Sequence, residues 1–491
     1  MDIRPTPSPI TPPAETSEQR SLRGHLGSGS IVFMVVAAAA PLSIIAGVVP
    51  IGVLVGNGAG FPAMYVVAAV VLFFFAVGYT AMARHVPNAG AFYSYIGTGL
   101  GRGAGLGAAL IALLSYVALQ CGVYGYLGFQ TGNLVTRYGG PELPWWLWAG
   151  LFLLLTGFLG FRHIELSSKV LAVLLVAEIV IVLVLDAAIL VQGGGDEGLS
   201  SALVNPDDIL SGAPGIGLMF AISGFIGFEA TAIFRDEARD PDRTVPRATY
   251  AALLLITVLY TVSSWAFVSA WGDSGVVEAT AADPGGIVVA TAETFVGTAA
   301  ADVMQVLFVT SLFAAILAFH NVLSRYLFSL ANTGVLPVAL GRSHPRHASP
   351  HVASLVTTAI GAALITVFAI AGLDPVLEIF TWLPGLATVG IVVLMLLTCL
   401  AVIVFFRRTR LDRRPWPTLV APSLGLLGLA LVLILLVDNL PLLMGGSTVL
   451  GVGAGVLLAV AFVAGWGLAA ARPQAARSFT AATPEDSAPQ I

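Results

Sequence analysis

The sequence predicts an all-α membrane protein with 12 transmembrane helices, two of them broken, and three observations carry that expectation. Of its 491 residues, 57% are hydrophobic and only 10% are charged. A soluble domain of this size with so little charge would expose an apolar surface and aggregate. Apolar runs of about 20 residues, the length needed to cross the hydrocarbon core, recur along the whole chain. The basic residues then sort onto alternate connections between those runs.

Taken in order, the runs lie near 30–56, 62–83, 103–134, 144–161, 166–191, 213–234, 246–271, 301–332, 352–372, 377–406, 417–438 and 444–470. The third and eighth are long enough to tilt or to extend past the bilayer. Residues 1–28 are polar and rich in Pro, Ser and Thr, unlike a signal peptide, and read as a disordered tail, as do 473–491. Cys121 and Cys399 both fall inside apolar runs, so no disulfide framework is implied. Trp145, Trp146 and Trp148 mark an interfacial belt at the start of the fourth run.

The basic residues set the orientation. Arg4, Arg20 and Arg23 precede the first run. Every even-numbered connection adds more, from Arg84 and Arg102 through Arg162 and Lys169 to Arg235, Arg239, Arg243 and Arg247. Arg325, Arg342 and Arg346 follow, then the cluster from Arg407 to Arg414, and the tail adds Arg472 and Arg477. Only Arg137 falls on the other side. Because Lys and Arg stay cytoplasmic, both termini are expected in the cytoplasm, with the chain in the cell membrane.

Two runs are interrupted. The first contains AAAAPLS, where Pro41 lacks an amide hydrogen and its ring clashes with the carbonyl of Ala37. The sixth passes through SGFIGFEA, with Gly224 and Gly227 ahead of Glu229. In lipid every backbone amide must find a partner, so a break at membrane depth has to line a protected cavity. The first run heads outward and the sixth inward, which relates the two breaks by an inverted five-helix repeat. Residues 29–200 form its first half, 201–411 its second, and 412–472 two additional helices. Matched breaks in two inverted halves point to a transporter's binding site, although Pro and Gly also occur as simple kinks in membrane helices.

The chemistry follows from helix ends. Half-helix N-termini present free amides and partial positive charge, which suit a carboxylate; C-termini expose carbonyls, which suit an ammonium group. Both ends together favour a zwitterion, and amino acids fit. A polyamine would use the carbonyl half plus an acidic side chain. The candidate substrate-binding residues are Ala39, Ala40, Pro41, Leu42 and Ser43, with Ser223, Gly224, Phe225, Ile226, Gly227 and Phe228.

At these residues the chain resembles the amino acid–polyamine–organocation superfamily. The motif GFEA, the acidic pair Asp236 and Glu237, then DP and VPRA match that family's sixth-span signature. So do RHVPNAGAFYSYIGTGLG from Arg84 to Gly101 and SRYLFSLANTGVLP from Ser324 to Pro337. The resemblance spans roughly residues 25–410. It implies the leucine-transporter fold, a five-plus-five inverted repeat with two extra helices, and secondary transport that is proton-coupled or by exchange. Many members carry Gly-Ser-Gly at the first break, where this chain has Ala39 to Ser43. Some place a gating aromatic at the position of Ser223, so Phe220, Phe225 or Phe228 would have to substitute.

Three ionisable residues inside the spans are candidates for coupling or gating: Glu178, Glu229 and His320. Glu229 lies six residues before Arg235, roughly 9 Å inside its helix end, too far for a short side chain to reach water. It either couples protons beside the substrate or holds the unwound segment through nearby amides. Glu178 lies nine residues beyond Lys169, roughly 13 Å from that helix end. Similar proteins place a lysine there in lieu of a sodium ion; a glutamate would instead take a proton or a cation. It is either a coupling residue facing the first and eighth spans or an acid paired with a polar neighbour. His320 could relay a proton or rest on a carbonyl. Asp186, near the outer end of the fifth span, reads as solvated or interfacial. The stretch Leu312–Phe319 holds no Ser or Thr where sodium-coupled relatives use hydroxyls, which favours protons over sodium.

The remaining features read blandly. Tyr116, Tyr124 and Tyr126 line a pathway or pack helices, and the charged loop from Arg235 to Arg247 forms weak cytoplasmic ion pairs. No HExxH, paired-Asp or Ser-His constellation and no phosphate-cradling loop appears, so neither an enzyme nor a bound cofactor, metal or nucleic acid is expected. The spans hold too few polar residues for an open channel pore. Replacing Glu178 with Gln is expected to flatten the dependence of uptake on pH. An unchanged profile and rate in that variant would count against a coupling role.

Overall fold

The computed structural model describes residues 27–86, 91–162, 168–229, 231, 238–332, 334–344 and 349–471. The expected tails at 1–28 and 473–491 lie outside them, apart from Gly27 and Ser28, as do Arg235, Asp236 and Glu237 of the charged loop.

Helix accounts for most of the described residues, and no β-strand occurs among them. Nine helical runs among the described residues are long and apolar enough to cross a membrane; the first of these, Ser28–Ala83, covers the first two expected spans. Trp145–Phe161 and Pro214–Ser223 are shorter apolar helices on the fourth and sixth. The third and eighth spans are indeed long, Arg102–Arg137 and Thr298–Asn332, at 36 and 35 residues. By the helical rise of about 1.5 Å per residue both exceed the roughly 30 Å hydrocarbon core.

The first and sixth spans form the centre. Ile31, Val35, Leu42, Val49, Ile51 and Val53 have no exposed surface, and every residue from Gly215 to Ser223 is buried. A helix that is apolar all round can be stable only where other helices cover every face. The last helix, Thr448–Ala471, is peripheral and leaves Val449 and Val463 largely exposed, as a lipid-facing surface requires. It packs along the third span where Gly465 meets the backbone of Gly107, a small-residue contact typical of membrane helices.

The interruption in the first span is a real break. Helix Ser28–Ala38 stops, Ala40 adopts φ 45° and ψ 68°, and a new helical stretch begins at Pro41. Pro41 therefore stands at the first position of the second half, where its missing N–H needs no partner, and not inside a continuous helix clashing with Ala37. The stretch 41–57 then continues with wide turns at Ile44–Val48 and Val53–Asn57. Left-handed backbone at a residue with a Cβ costs on the order of 1–2 kcal/mol, so packing must enforce it.

The two ends of the bundle differ. At one end Arg137 bonds Asp302 at 2.6 Å and Glu293 at 3.1 Å, tying the third span to the eighth and to helix Ile287–Phe295. At the other, the Arg84 guanidinium donates to the Asp242 carbonyl at 3.1 Å, and Arg243 lies 3.8 Å from Asp240. Ala40→Val puts a β-branched side chain in the left-handed region and is expected to lower the thermal midpoint of the solubilised protein. Ala40→Gly, which removes the steric conflict, is not; equal midpoints for the two variants would argue against strain at this residue.

Candidate functional site

The first break is dressed by side chains from three other spans. Tyr260, in the seventh span, donates its hydroxyl hydrogen to the carbonyl of Ala39 at 3.3 Å. Glu178, in the fifth, is 5% exposed, and its carboxyl lies beside the backbone N–H of Leu42, the start of the second half-helix. Ser311, in the eighth span, donates to Glu178 Oε2 at 2.9 Å and accepts from Ser43 Oγ at 3.0 Å. A carboxylate at a helix N-terminus satisfies an orphan amide and complements the local dipole. Glu178 thus lies against the first and eighth spans, with Ser311 as its polar neighbour. Ser311 lies one residue before the hydroxyl-free stretch Leu312–Phe319, so the eighth span does contribute a hydroxyl to this site.

The sixth break is dressed in the same way. Helix Pro214–Ser223 ends in turns at 224–227, and Gly227 takes φ 111°, a conformation that only glycine adopts readily. Glu229, 3% exposed, turns back so that Oε2 accepts from the N–H of Gly227 at 2.8 Å. The hydroxyl of Tyr116 reaches the same carboxyl. Tyr79, in the second span, donates to the carbonyl of Glu229 at 3.0 Å. Thr231 bonds the carbonyl of Phe228 at 3.0 Å and the hydroxyl of Thr249 at 2.7 Å.

Both breaks border one cavity of about 60 Å³. Ala39, Ala40 and Ser43 line it from the first span, Ser223 and Ile226 from the sixth. Ile44, Val48, Leu119, Val123, Leu312, Phe319 and Phe380 supply aliphatic and aromatic walls, and no carboxylate is among its lining residues. Pro41, Leu42, Gly224 and Gly227 contribute backbone to the breaks beside it. Phe225 and Phe228 turn away: Phe225 packs on Tyr65 at 6.3 Å between centroids, and Phe228 on Phe75 at 5.9 Å. Neither they nor Phe220 borders the cavity; Phe319 and Phe380 are the aromatics at its walls. Phe380 stacks on Tyr126 at 4.3 Å, and the Tyr126 hydroxyl lies 3.2 Å from the carbonyls of both Ala46 and Gly285. Nothing in the sequence around Phe380 marks it, because its place depends on packing against a residue some 250 positions away.

Two ionisable groups lie elsewhere. His320 is fully buried with Nε2 2.8 Å from Ser354 Oγ, beside Gly160, so it faces the fourth and ninth spans. Asp186, expected to be solvated or interfacial, is 5% exposed and accepts from Ser263 Oγ at 2.6 Å. The seventh span covers it, which distance from the helix end could not show. A larger hollow of about 730 Å³ opens on the outer surface between Trp146 and Ile370, with no helix break and no ionisable side chain along it.

A family model described as amino acid permease matches residues 30–466. The chain is 25% identical over 378 residues to a branched-chain amino acid permease of Bacillus subtilis (strain 168), covering 70% of this chain and 74% of that protein. It is 25% identical over 339 residues to a protein of the same description from Lactococcus lactis subsp. cremoris (strain MG1363), covering 63% and 69%. An uncharacterized transporter of Mycobacterium tuberculosis (strain ATCC 25618 / H37Rv) is 30% identical over 148 residues, 30% of this chain and 32% of its own.

The breaks touch through Gly224. A Cβ there would stand 3.2 Å from Ile44 Cγ2, Tyr65 Cε1 and Tyr260 Cε2, tighter than ordinary contact on three sides. Gly224→Ala is expected to cost about 1–3 kcal/mol by overpacking, read from a lowered thermal midpoint. Adding Ile44→Ala should restore part of the loss; strictly additive effects would show that the two breaks do not press on each other.

Proposed function

The chain belongs to the amino acid permease family, and on that premise we propose that it carries branched-chain and similar apolar amino acids across the cytoplasmic membrane by proton-coupled alternating access. The observation that carries this reading is the shared cavity: two helix breaks offering opposite ends, inside walls that are otherwise aliphatic and aromatic. The end of Ser28–Ala38 is the carbonyl end that suits an ammonium group, and the start of 41–57 is the amide end that suits a carboxylate; the last carbonyls of Pro214–Ser223 are taken by the N–H groups of Gly224, Phe225 and Ile226. The walls then take an apolar side chain. The two relatives described as branched-chain amino acid permeases support the same substrate class. A diamine needs acids to receive its charges, and the lining residues include none.

The twelve-span, five-plus-five arrangement with cytoplasmic termini belongs to this proposal. Its support is the likeness of the two breaks, each with a glutamate on an amide and a tyrosine on a carbonyl. The two tyrosines come from the second and seventh spans, which are counterparts in such a repeat.

Transport of a zwitterion also gives protons a role. Glu178 already lies beside the Leu42 amide. A substrate carboxylate arriving at the same helix end places two acids side by side, and a proton on Glu178 removes the repulsion. The cavity of about 60 Å³ is small beside ligand pockets of ~300 Å³ or more, so binding has to part its walls. Phe319 and Phe380 are the side chains whose rotation opens it.

The test is uptake into proteoliposomes of labelled leucine, isoleucine and valine against putrescine and lysine, with and without a pH gradient. Saturable leucine uptake, raised by a proton gradient directed into the vesicles, is expected. Saturable putrescine uptake without leucine uptake would move the reading to polyamines, and unsaturable conductance would move it to a channel.

A further inference from the structure

One buried acid takes no part in the site described above. Asp186 lies on the fifth span eight residues beyond Glu178, roughly 12 Å further along the helix. It is 5% exposed and lies on the same buried face as Leu175, Glu178, Val182, Leu185 and Ile189. Its only hydrogen-bond partner among the described residues is Ser263, whose Oγ donates to Oδ2 at 2.6 Å.

No cation answers it among the described residues. The fifth span packs against the seventh and eighth spans, helix Ile287–Phe295 and the first span. The seventh span carries its charges, Asp242, Arg243 and Arg247, at its far end, roughly 24 Å or more from Ser263. The eighth offers Asp302, which is held by Arg137, and then no charged or titratable side chain before His320, which rests on Ser354. Helix Ile287–Phe295 offers Glu293, also held by Arg137, and residues 28–57 carry no charge. Of the acids Asp196 and Glu197 in the loop beyond the fifth span, Glu197 is engaged with Ser274. An acid sealed at this depth needs a cation, and the smallest is a proton.

The helix also supplies a direction. Gln192, which closes the fifth span, donates to the carbonyl of Phe295 at 2.9 Å, so this helix end lies with Arg137 and its partners. Asp186 stands roughly 9 Å inside that end, and Glu178 roughly 21 Å. Resting on the proton-coupled reading above, we propose that Asp186 is a second proton site, at which the coupled proton enters from the Arg137 end before it reaches Glu178. The Asp186 carboxylate accepts a proton from water at that end. Asp186 then returns to its anion by giving the proton to water admitted as the helices part, because roughly 12 Å is too far for direct transfer; that water delivers it to the Glu178 carboxylate, and Glu178 releases it to water at the opposite end. Ser263 positions the acid: its hydroxyl donates to the anion and turns to accept from the protonated form.

The experiment compares the wild type, Asp186→Asn and Glu178→Gln in proteoliposomes, measuring proton-driven leucine accumulation and leucine–leucine exchange. Asp186→Asn is expected to keep exchange within about twofold while losing proton-driven accumulation by about tenfold or more. Unchanged accumulation with an unchanged pH profile in Asp186→Asn, while Glu178→Gln loses both, would overturn the proposal and leave the coupled reading intact. A wild type that exchanges leucine but never responds to a pH gradient would overturn both. Should Asp186→Asn fail to fold, Ser263→Ala serves: a displaced pH midpoint of uptake is expected, and a midpoint identical to wild type overturns the proposal.

Discussion

Backbone groups freed inside a membrane have no water to turn to, and the rest of this structure depends on how the groups at two helix breaks are satisfied. Each break receives a buried glutamate on an amide and a tyrosine hydroxyl on a carbonyl. Five spans outside the central pair, the second, third, fifth, seventh and eighth, supply or anchor these contacts, so the breaks and the surrounding bundle hold each other in place. Ser43 and Ser311 extend the first of these networks from the broken helix to the eighth span.

The same arrangement makes the centre both tight and movable. Gly224 lets the sixth break lie against Ile44, and the strained Ala40 is enforced by what packs around it. At the first break side chains from neighbouring spans bind residues on both sides of Ala40, and at the sixth they add to the turn hydrogen bonds of 224–228. Such contacts can be exchanged without unfolding a helix. At one end Tyr126 and Gln130 both donate to the carbonyl of Gly285, coupling the cavity wall to the connection between the seventh and eighth spans. Gln305 extends that contact to Gln130 at 2.9 Å. Opening the cavity in that direction requires this cluster and the Arg137 ion pairs to separate.

Much of the fold and part of the site were legible in the sequence. Membrane helices announce themselves through length and composition, and Pro41, Gly224 and Gly227 mark breaks because their effects on the backbone are local. Glu178 could be placed near the first and eighth spans, and the structure puts its carboxyl on Leu42 and Ser311. The same reasoning misjudged Asp186, because nearness to a helix end says nothing about which neighbour covers the side chain. It also sought the cavity's aromatics next to the sixth break, whereas Phe319 and Phe380 come from the eighth and tenth spans.

The sequence by itself determined that this is a helical membrane protein with two interrupted spans, because hydrophobic length and backbone geometry are properties of short segments. Only the tertiary structure decided which side chains meet at the breaks and which acids are sealed from water. It turned Phe225 and Phe228 away from the cavity, aimed His320 at the fourth and ninth spans, and placed Ser263 over Asp186. Those outcomes follow from the rotation of each helix about its axis. That rotation is set by the combined packing of residues far apart in the chain, which no local pattern records.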